Sequence, residues 1–139
     1  MSLKVVVADA EHIDWLTASD AHVSPDWVAR CVKGDEYLVG TASGEPVGLL
    51  RFCWFWRAIP YMERIHVVPA CRRAGVGTAM FTFWETAMRA RGATLLMTSA
   101  MSNEPEPQAW HRRNGFVESG ALSFGRLEPT PELFFVKDL

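Results

Sequence analysis

The middle of the chain constrains its fold most. From Val76 to Arg91 the apolar residues Val76, Ala79, Met80, Phe83, Trp84, Ala87 and Met88 recur at steps of three and four. That spacing predicts an amphipathic helix with one long apolar face, closed by Arg89, Arg91 and Gly92. A face of this kind needs a sheet to cover it. Immediately upstream, Tyr61–Val68 reads as a strand, and Pro69 ends it because proline has no N–H to give a ladder. Between strand and helix lies Pro69–Gly77, with glycines at Gly75 and Gly77. Strand, glycine loop and long helix therefore form the unit around which the rest must pack.

The flanking segments supply the sheet. Leu3–Val7 is a short β-branched run and the first expected strand. Ala10–Ser19 reads as a helix with Ile13, Leu16 and Thr17 on one side. Ser24-Pro25-Asp26 starts a second helix that runs to Lys33 and stops at Gly34, since serine caps free N–H groups and proline suits the first turn. Asp20–Val23 joins the two and is expected to be a mobile flap. Glu36–Ala42, the turn Ser43-Gly44 and Pro46–Trp56 predict a hairpin, with Ala58-Ile59-Pro60 as a break before the Tyr61 strand. Thr94–Ser99 reads as a strand and Pro107–Arg113 as a short helix stopped by Asn114-Gly115. Phe116–Phe124 and Leu133–Lys137 read as closing strands around a proline-containing loop. The order β-α-α-β-β-β-α-β-α-β-β predicts an α/β (α+β) class fold, one domain over residues 1–139 with helices on a mixed sheet.

Composition narrows the functions. The chain has 139 residues, 49% hydrophobic and 22% charged, enough for one core. Its net charge is −2 with no basic run or stripe, which argues against nucleic acid as a partner. Cys31, Cys53 and Cys71 lack metal-ligand spacing and are read as reduced thiols, so no metal is expected. No apolar stretch approaches the roughly 18–20 residues that span a bilayer, and the start lacks a leader pattern, so no membrane partner and a cytoplasmic location are expected.

The loop carries the chemistry. Gly75 and Gly77 let backbone approach a ligand and take positive φ where required. The free N–H groups of the helix's first turn, backed by its dipole, suit a pyrophosphate, and Arg72 and Arg73 add charge at the mouth. A tight strand-to-helix turn with surface arginines fits the same residues. A dinucleotide fingerprint is excluded, because Met80 stands where its third glycine would be. A P-loop is excluded too, since Gly77-Thr78 lacks the lysine between glycine and threonine.

The stretch Ile65-His66-Val67-Val68-Pro69-Ala70-Cys71-Arg72-Arg73-Ala74-Gly75-Val76-Gly77 resembles the signature of the Gcn5-related N-acetyltransferase (GNAT) family, V-x-P before R/Q-x-x-G-x-G/A at the end of the fourth strand. A second mark, Ala109-Trp110-His111-Arg112-Arg113-Asn114-Gly115-Phe116, is similar to the family's A-[FL]-Y-x-x-x-G-F helix. More narrowly, Phe55-Trp56 to Pro60-Tyr61-Met62, and Phe83-Trp84-Glu85 with Met97-Thr98-Ser99, resemble a largely uncharacterised subgroup. The resemblance covers nearly the whole chain. It implies a GNAT fold: a mixed, mostly antiparallel sheet of about seven strands with about four helices, splayed at strands 4 and 5.

It also implies direct transfer of acetyl from acetyl-CoA to an amine, which needs a base, N–H donors for an oxyanion and an acid for the thiolate. By analogy Ile65, His66 and Val67 hold the pantetheine, the amides of Arg72, Arg73, Ala74, Gly75, Val76, Gly77 and Thr78 hold the pyrophosphate, and Asn103 resembles a further pantetheine contact. The family's acid is usually a tyrosine four residues before Gly-Phe, where this chain has His111. With an ordinary pKa near 6.5, only about a quarter of a histidine is charged at pH 7. An acid role for His111 therefore calls for a carboxylate beside it; the alternative is that His111 packs under the cofactor and water supplies the proton. Glu63 is the expected base, since it shares a strand face with Tyr61 and Ile65 and would have its pKa lifted by burial near aromatics; a structural carboxylate paired with Arg51 or Arg64 fits the same residue. Some family members use a tyrosine at the Tyr61 position instead.

The expected acceptor is a small-molecule or peptide amine, entering near Ala21–Pro25 and Gly125–Pro131. Trp54, Trp56 or Tyr61 would serve as walls, and Glu63, Glu128 and Glu132 would attract a cation. A homodimer is compatible with this reading. Its rivals are a non-catalytic acyl-CoA-binding module, for which the missing tyrosine speaks, and a transferase for another acyl group.

Overall fold

A computed structural model describes residues 2–139. Its elements follow the expected order: β1 (Leu3–Val7), α1 (Ile13–Ser19), α2 (Pro25–Lys33), β2 (Tyr37–Ala42), β3 (Glu45–Phe55), β4 (Ile59–Val67), α3 (Val76–Ala90), β5 (Leu95–Met101), α4 (Pro105–Arg113), β6 (Val117–Phe124) and β7 (Glu128–Asp138). The seven strands form one sheet in the order β1-β2-β3-β4-β5-β7-β6. β4 and β5 run parallel, while the β1–β2, β2–β3, β5–β7 and β6–β7 pairs are antiparallel. The expected mixed sheet and four helices are thus present. The β4–β5 register covers Tyr61↔Met97 and Met62↔Thr98.

The chain divides into two compact units, one of residues 1–53 and 64–87 and one of residues 54–63 and 88–139. In the first unit, strand alternation sorts side chains onto two faces. Tyr37 and Val39 of β2 stand opposite Arg51 and Leu49 of β3. With Leu16, Val28 and Cys31 of α1 and α2, the apolar members of this set make a buried cluster. The other face carries the register partners Leu38↔Leu50 and Gly40↔Gly48, together with Phe52. There α3 packs, with Val76, Met80 and Trp84 almost fully buried and the Trp84 ring 5.8 Å from that of Phe52. In the second unit, Met62, Leu96, Ala100, Phe116 and Phe135 are buried, and so is His111.

Local chemistry explains most boundaries. Ser24 Oγ accepts from the Trp27 N–H with Pro25 in the first turn, which starts α2 where its sequence signal stands. The first turn of the expected Ala10–Ser19 helix is a 3₁₀ turn, Ala10–His12, because Asp9 accepts from Glu11 N–H while His12 Nδ1 accepts from Asp9 N–H. Ala58-Ile59-Pro60 is not the break it was expected to be. Ile59 and Pro60 lie in β4, and the turn is Trp56-Arg57, with φ of 55° and 58°. Two left-handed central residues match the right-handed twist of a hairpin, and glycine or asparagine normally supplies them. β7 likewise begins at Glu128 rather than Leu133, taking in Pro129 and Pro131 where its register with β6 shifts. No described helix is long and apolar enough to cross a membrane.

Candidate active site

The strand-to-helix loop, the candidate anion cradle, lies within the first unit. Gly75 has φ of +88°, and its carbonyl accepts from the Ala79 N–H at 2.9 Å. It therefore stands at the cap position of α3, and the N–H groups of Val76, Gly77 and Thr78 have no carbonyl within the helix to bond. Gly77 is the second residue of α3 and needs no positive φ. The left-handed partner of Gly75 is instead Arg73, at φ +63°. A non-glycine residue there marks a backbone held against its preference by its surroundings. Arg72 folds back, its Nε donating to Val67 O at 3.0 Å, which ties the loop to the end of β4.

Two glycines the sequence reading passed over seat the helix. A Cβ on Gly48 would lie 2.8 Å from Met80 Cε and 3.0 Å from Val76 Cγ1, and one on Gly40 3.0 Å from the same Val76 carbon. This facing pair brings the first turn of α3 close against β2 and β3, a contact any side chain would prop open. The signal available was two glycines, each inside an apolar strand, at positions a hairpin register pairs. Ile65, His66 and Val67 are half-buried on β4, and burial and the positive charges of Arg64 and Arg72 lower the pKa of His66. His66 is a neutral ring in an electropositive setting.

Beside it lies a buried ionic cluster. Asp20 is fully buried in the α1–α2 connection; its Oδ2 accepts from Tyr37 OH at 2.6 Å and from Arg51 Nε at 2.9 Å. Arg64 Nε pairs with Oδ1 at 3.3 Å, and Arg64 Nη1 meets His22 Nε2 at 2.9 Å. Asp20 is thus an anchor rather than part of a loose flap. Burial alone would raise its pKa, but the Tyr37 and Arg51 hydrogen bonds and the two arginine charges more than reverse that, and it is lowered.

The second unit holds the candidate acid and base. His111 on α4 is buried, with ring contacts to Trp110, Phe116 and Phe135 at 5.9, 6.0 and 5.4 Å. Its Nε2 lies 3.1 Å from the carbonyl of Ser99. A carbonyl only accepts, so Nε2 carries the proton. Burial lowers the His111 pKa and the Arg112 charge adds to this, against the opposing Ser99 carbonyl bond. A carboxylate is not among the groups acting on it.

Glu63 is exposed, not buried near aromatics as expected. Tyr61 is half-buried, and its hydroxyl meets Ser99 Oγ at 2.6 Å. Ser99 Oγ donates to Glu132 Oε2 at 2.7 Å. The sequence marks Glu132 only as one of three carboxylates that would attract a cation, and nothing local in it singles out Ser99. The β5–β7 register pairs Ser99 with Phe134 and Thr98 with Phe135, so the Ser99 hydroxyl and the Phe135 ring over which His111 sits are on opposite faces. Asn103 is exposed in the turn before α4, whose cap is Glu104. Of the expected cleft walls, Trp56 is 80% exposed at its turn and Trp54 lies under the Arg91 guanidinium at 4.7 Å.

The structure superposes on Ard1 from Thermoplasma volcanium with a TM-score of 0.86 at 14% identity, covering 100% of this chain and 99% of that one. It superposes on a ribosomal-protein-alanine N-acetyltransferase from Brucella melitensis with 0.82 at 20% identity, over 98% and 99% of the two chains. For yncA from Salmonella typhimurium, solved with its cofactor acetyl-CoA, the values are 0.81 and 17%, over 100% and 95%. Likeness at such identities establishes the fold. No curated protein matches by sequence. A sequence profile of the acetyltransferase (GNAT) family matches residues 7–116, the greater part of the chain, and the protein belongs to that family.

Proposed function

We propose that the chain is a cytoplasmic, single-domain acetyl-CoA-dependent N-acetyltransferase acting on a primary amine. The observation that carries this reading is the seated first turn of α3. Three amides open toward a loop whose backbone is fixed by Gly75 at φ +88° and Arg73 at φ +63°, with Arg72 tied to Val67. Such an arrangement fits a pyrophosphate: free N–H donors in one turn, backed by the positive end of a fifteen-residue helix. When bound, acetyl-CoA supplies an acetyl group activated as a thioester.

The residues from Arg72 to Thr78 hold the pyrophosphate, and the backbone of Ile65, His66 and Val67 orients the pantetheine, with Asn103 as a further contact. Tyr61 or Glu63 takes the proton that the amine must lose, and His111 stands at the family's acid position. Because His111 is neutral and its Nε2 proton is engaged by Ser99, a second reading also draws support, a non-catalytic acyl-CoA-binding module.

Release of CoA across a panel of small amines, amino acids and peptide N-termini separates the two readings. The proposal expects turnover with at least one acceptor class. Binding of acetyl-CoA in calorimetry with no turnover on any acceptor overturns it in favour of the module. Peptides belong in the panel because one structural neighbour is a ribosomal-protein-alanine N-acetyltransferase. A homodimer is tested by light scattering on the same sample.

A further inference from the structure

We infer that Tyr61, Ser99 and Glu132 form a proton relay in which Glu132 is the final acceptor of the proton the amine gives up. The inference rests on the reading of the chain as an N-acetyltransferase and assigns its base. The direction of the chain follows from hydrogen counting. Ser99 has one hydroxyl proton, and it is donated to Glu132 Oε2 at 2.7 Å. The 2.6 Å contact between Tyr61 OH and Ser99 Oγ must therefore be donated by the tyrosine. Both contacts fall within the range of O–H···O bonds that end on a charge. Tyrosine alone, with an ordinary pKa near 10, is a poor base at neutral pH; a carboxylate behind it supplies the missing basicity.

The surroundings of Glu132 suit a proton acceptor. Burial raises its pKa, the Ser99 hydrogen bond opposes this, and the neighbouring Glu128 carboxyl and the Glu104 charge raise it further. The groups facing it are Ser99 from β5, Glu128 from its own strand, and Glu104 from the start of α4, with Tyr61 reached through Ser99. Its Oε1 is buried, and a proton on Glu132 can be shared with the neighbouring Glu128 carboxyl, a position that favours a carboxyl gaining a proton over one that never does.

In the step, one ammonium N–H bond breaks and an O–H bond forms at Tyr61. The tyrosine's own proton passes to Ser99 Oγ, and the Ser99 proton passes to Glu132 Oε2. The amine is left neutral with its lone pair free, Glu132 becomes a carboxylic acid, and nothing is oxidised or reduced. Glu132 then returns the proton to water before the next turnover. Tyr61 is the member that meets the amine, and Ser99 and Glu132 act through it.

The test is the pH dependence of kcat and KM for wild type, Glu132→Gln, Ser99→Ala, Ser99→Thr and Tyr61→Phe, using the best amine of the panel. Glu132→Gln should lower kcat by about 100-fold or more and abolish the acidic limb of the profile, with the KM for acetyl-CoA within about twofold. Ser99→Ala should fall similarly and Ser99→Thr should recover, since threonine restores the hydroxyl. Glu132→Gln with wild-type kcat and an unmoved acidic limb overturns the relay while leaving acetyl transfer intact. A wild type that turns over no amine overturns the N-acetyltransferase reading instead. Should Glu132→Gln fail to fold, the Ser99→Ala and Ser99→Thr pair decides: equal activity in the two overturns the relay.

Discussion

Asp20 holds together more of the first unit than its place in a connection between two helices suggests. It is fully buried, takes hydrogen bonds from Tyr37 and Arg51, and pairs with Arg64. Removing it leaves Arg51 buried and the Tyr37 hydroxyl without its acceptor. Asp20→Ala should therefore cost about 3–5 kcal/mol in urea unfolding, far above an exposed loop substitution. Its pH dependence has a fixed sign. Because its pKa is lowered on folding, its contribution is complete above the ordinary value of 3.8 and is lost as the pH falls through and below that value. His111 acts in a higher window. Burial lowers its pKa from 6.5, so the unfolded chain binds its proton first. Stability it contributes is complete above pH 6.5 and falls as the pH drops below that value. Glu132, whose pKa is raised, acts in the opposite sense, so the difference between wild type and His111→Gln is the clean measurement. Unfolding midpoints of the two should converge as the pH is lowered from 7.5 to about 5; parallel curves would mean His111 does not titrate in this range. None of this was legible in the sequence. Asp20 is 17 residues from Tyr37 and 31 from Arg51, and no local pattern pairs them.

At the level of elements, sequence and structure agree best where one local rule acts. The three-and-four periodicity of α3 and the Ser24-Pro25 start of α2 both hold in the structure. They disagree where a local rule is overridden from outside. Trp56 and Arg57 take left-handed conformations that their side chains disfavour, because the β3 and β4 strands they join set the twist. Pro129 and Pro131 sit in β7 because register shifts spare the amides they lack. The glycine loop before α3 stands out in the sequence, but its seat does not, since pairing Gly40 with Gly48 requires the hairpin register. That seat gives an element-scale prediction. Gly48→Val adds branches where even a Cβ is 2.8 Å from Met80, so the first turn of α3 must move. The affinity for CoA in calorimetry should fall by about tenfold or more, and stability by about 1–3 kcal/mol. Gly75→Ala meets only an ordinary contact, Leu3 Cδ1 at 3.9 Å, but must hold φ at +88°; it should cost about 1 kcal/mol and a smaller part of the affinity.

For the molecule as a whole, the two groups of candidate residues belong to different compact units, the loop amides to one and the Tyr61–Ser99–Glu132 chain to the other. The family motifs reported the first because it is continuous in sequence. The second joins residues 38 and 33 positions apart, on strands whose pairing no motif records. This separation makes a global prediction. A ligand that binds only the folded chain stabilises it by about 2.7 kcal/mol at a hundredfold excess over its Kd. Substitutions with no shared partners combine additively within about 0.5 kcal/mol. CoA should therefore stabilise Glu132→Gln as much as wild type, each measured against its own ligand-free midpoint. Gly48→Val should lose most of the CoA effect yet keep the acidic limb of the pH–rate profile at saturating acetyl-CoA. A Glu132→Gln protein that CoA fails to stabilise would mean the carboxyl supports cofactor binding, and the two roles would have to be assigned to one coupled network.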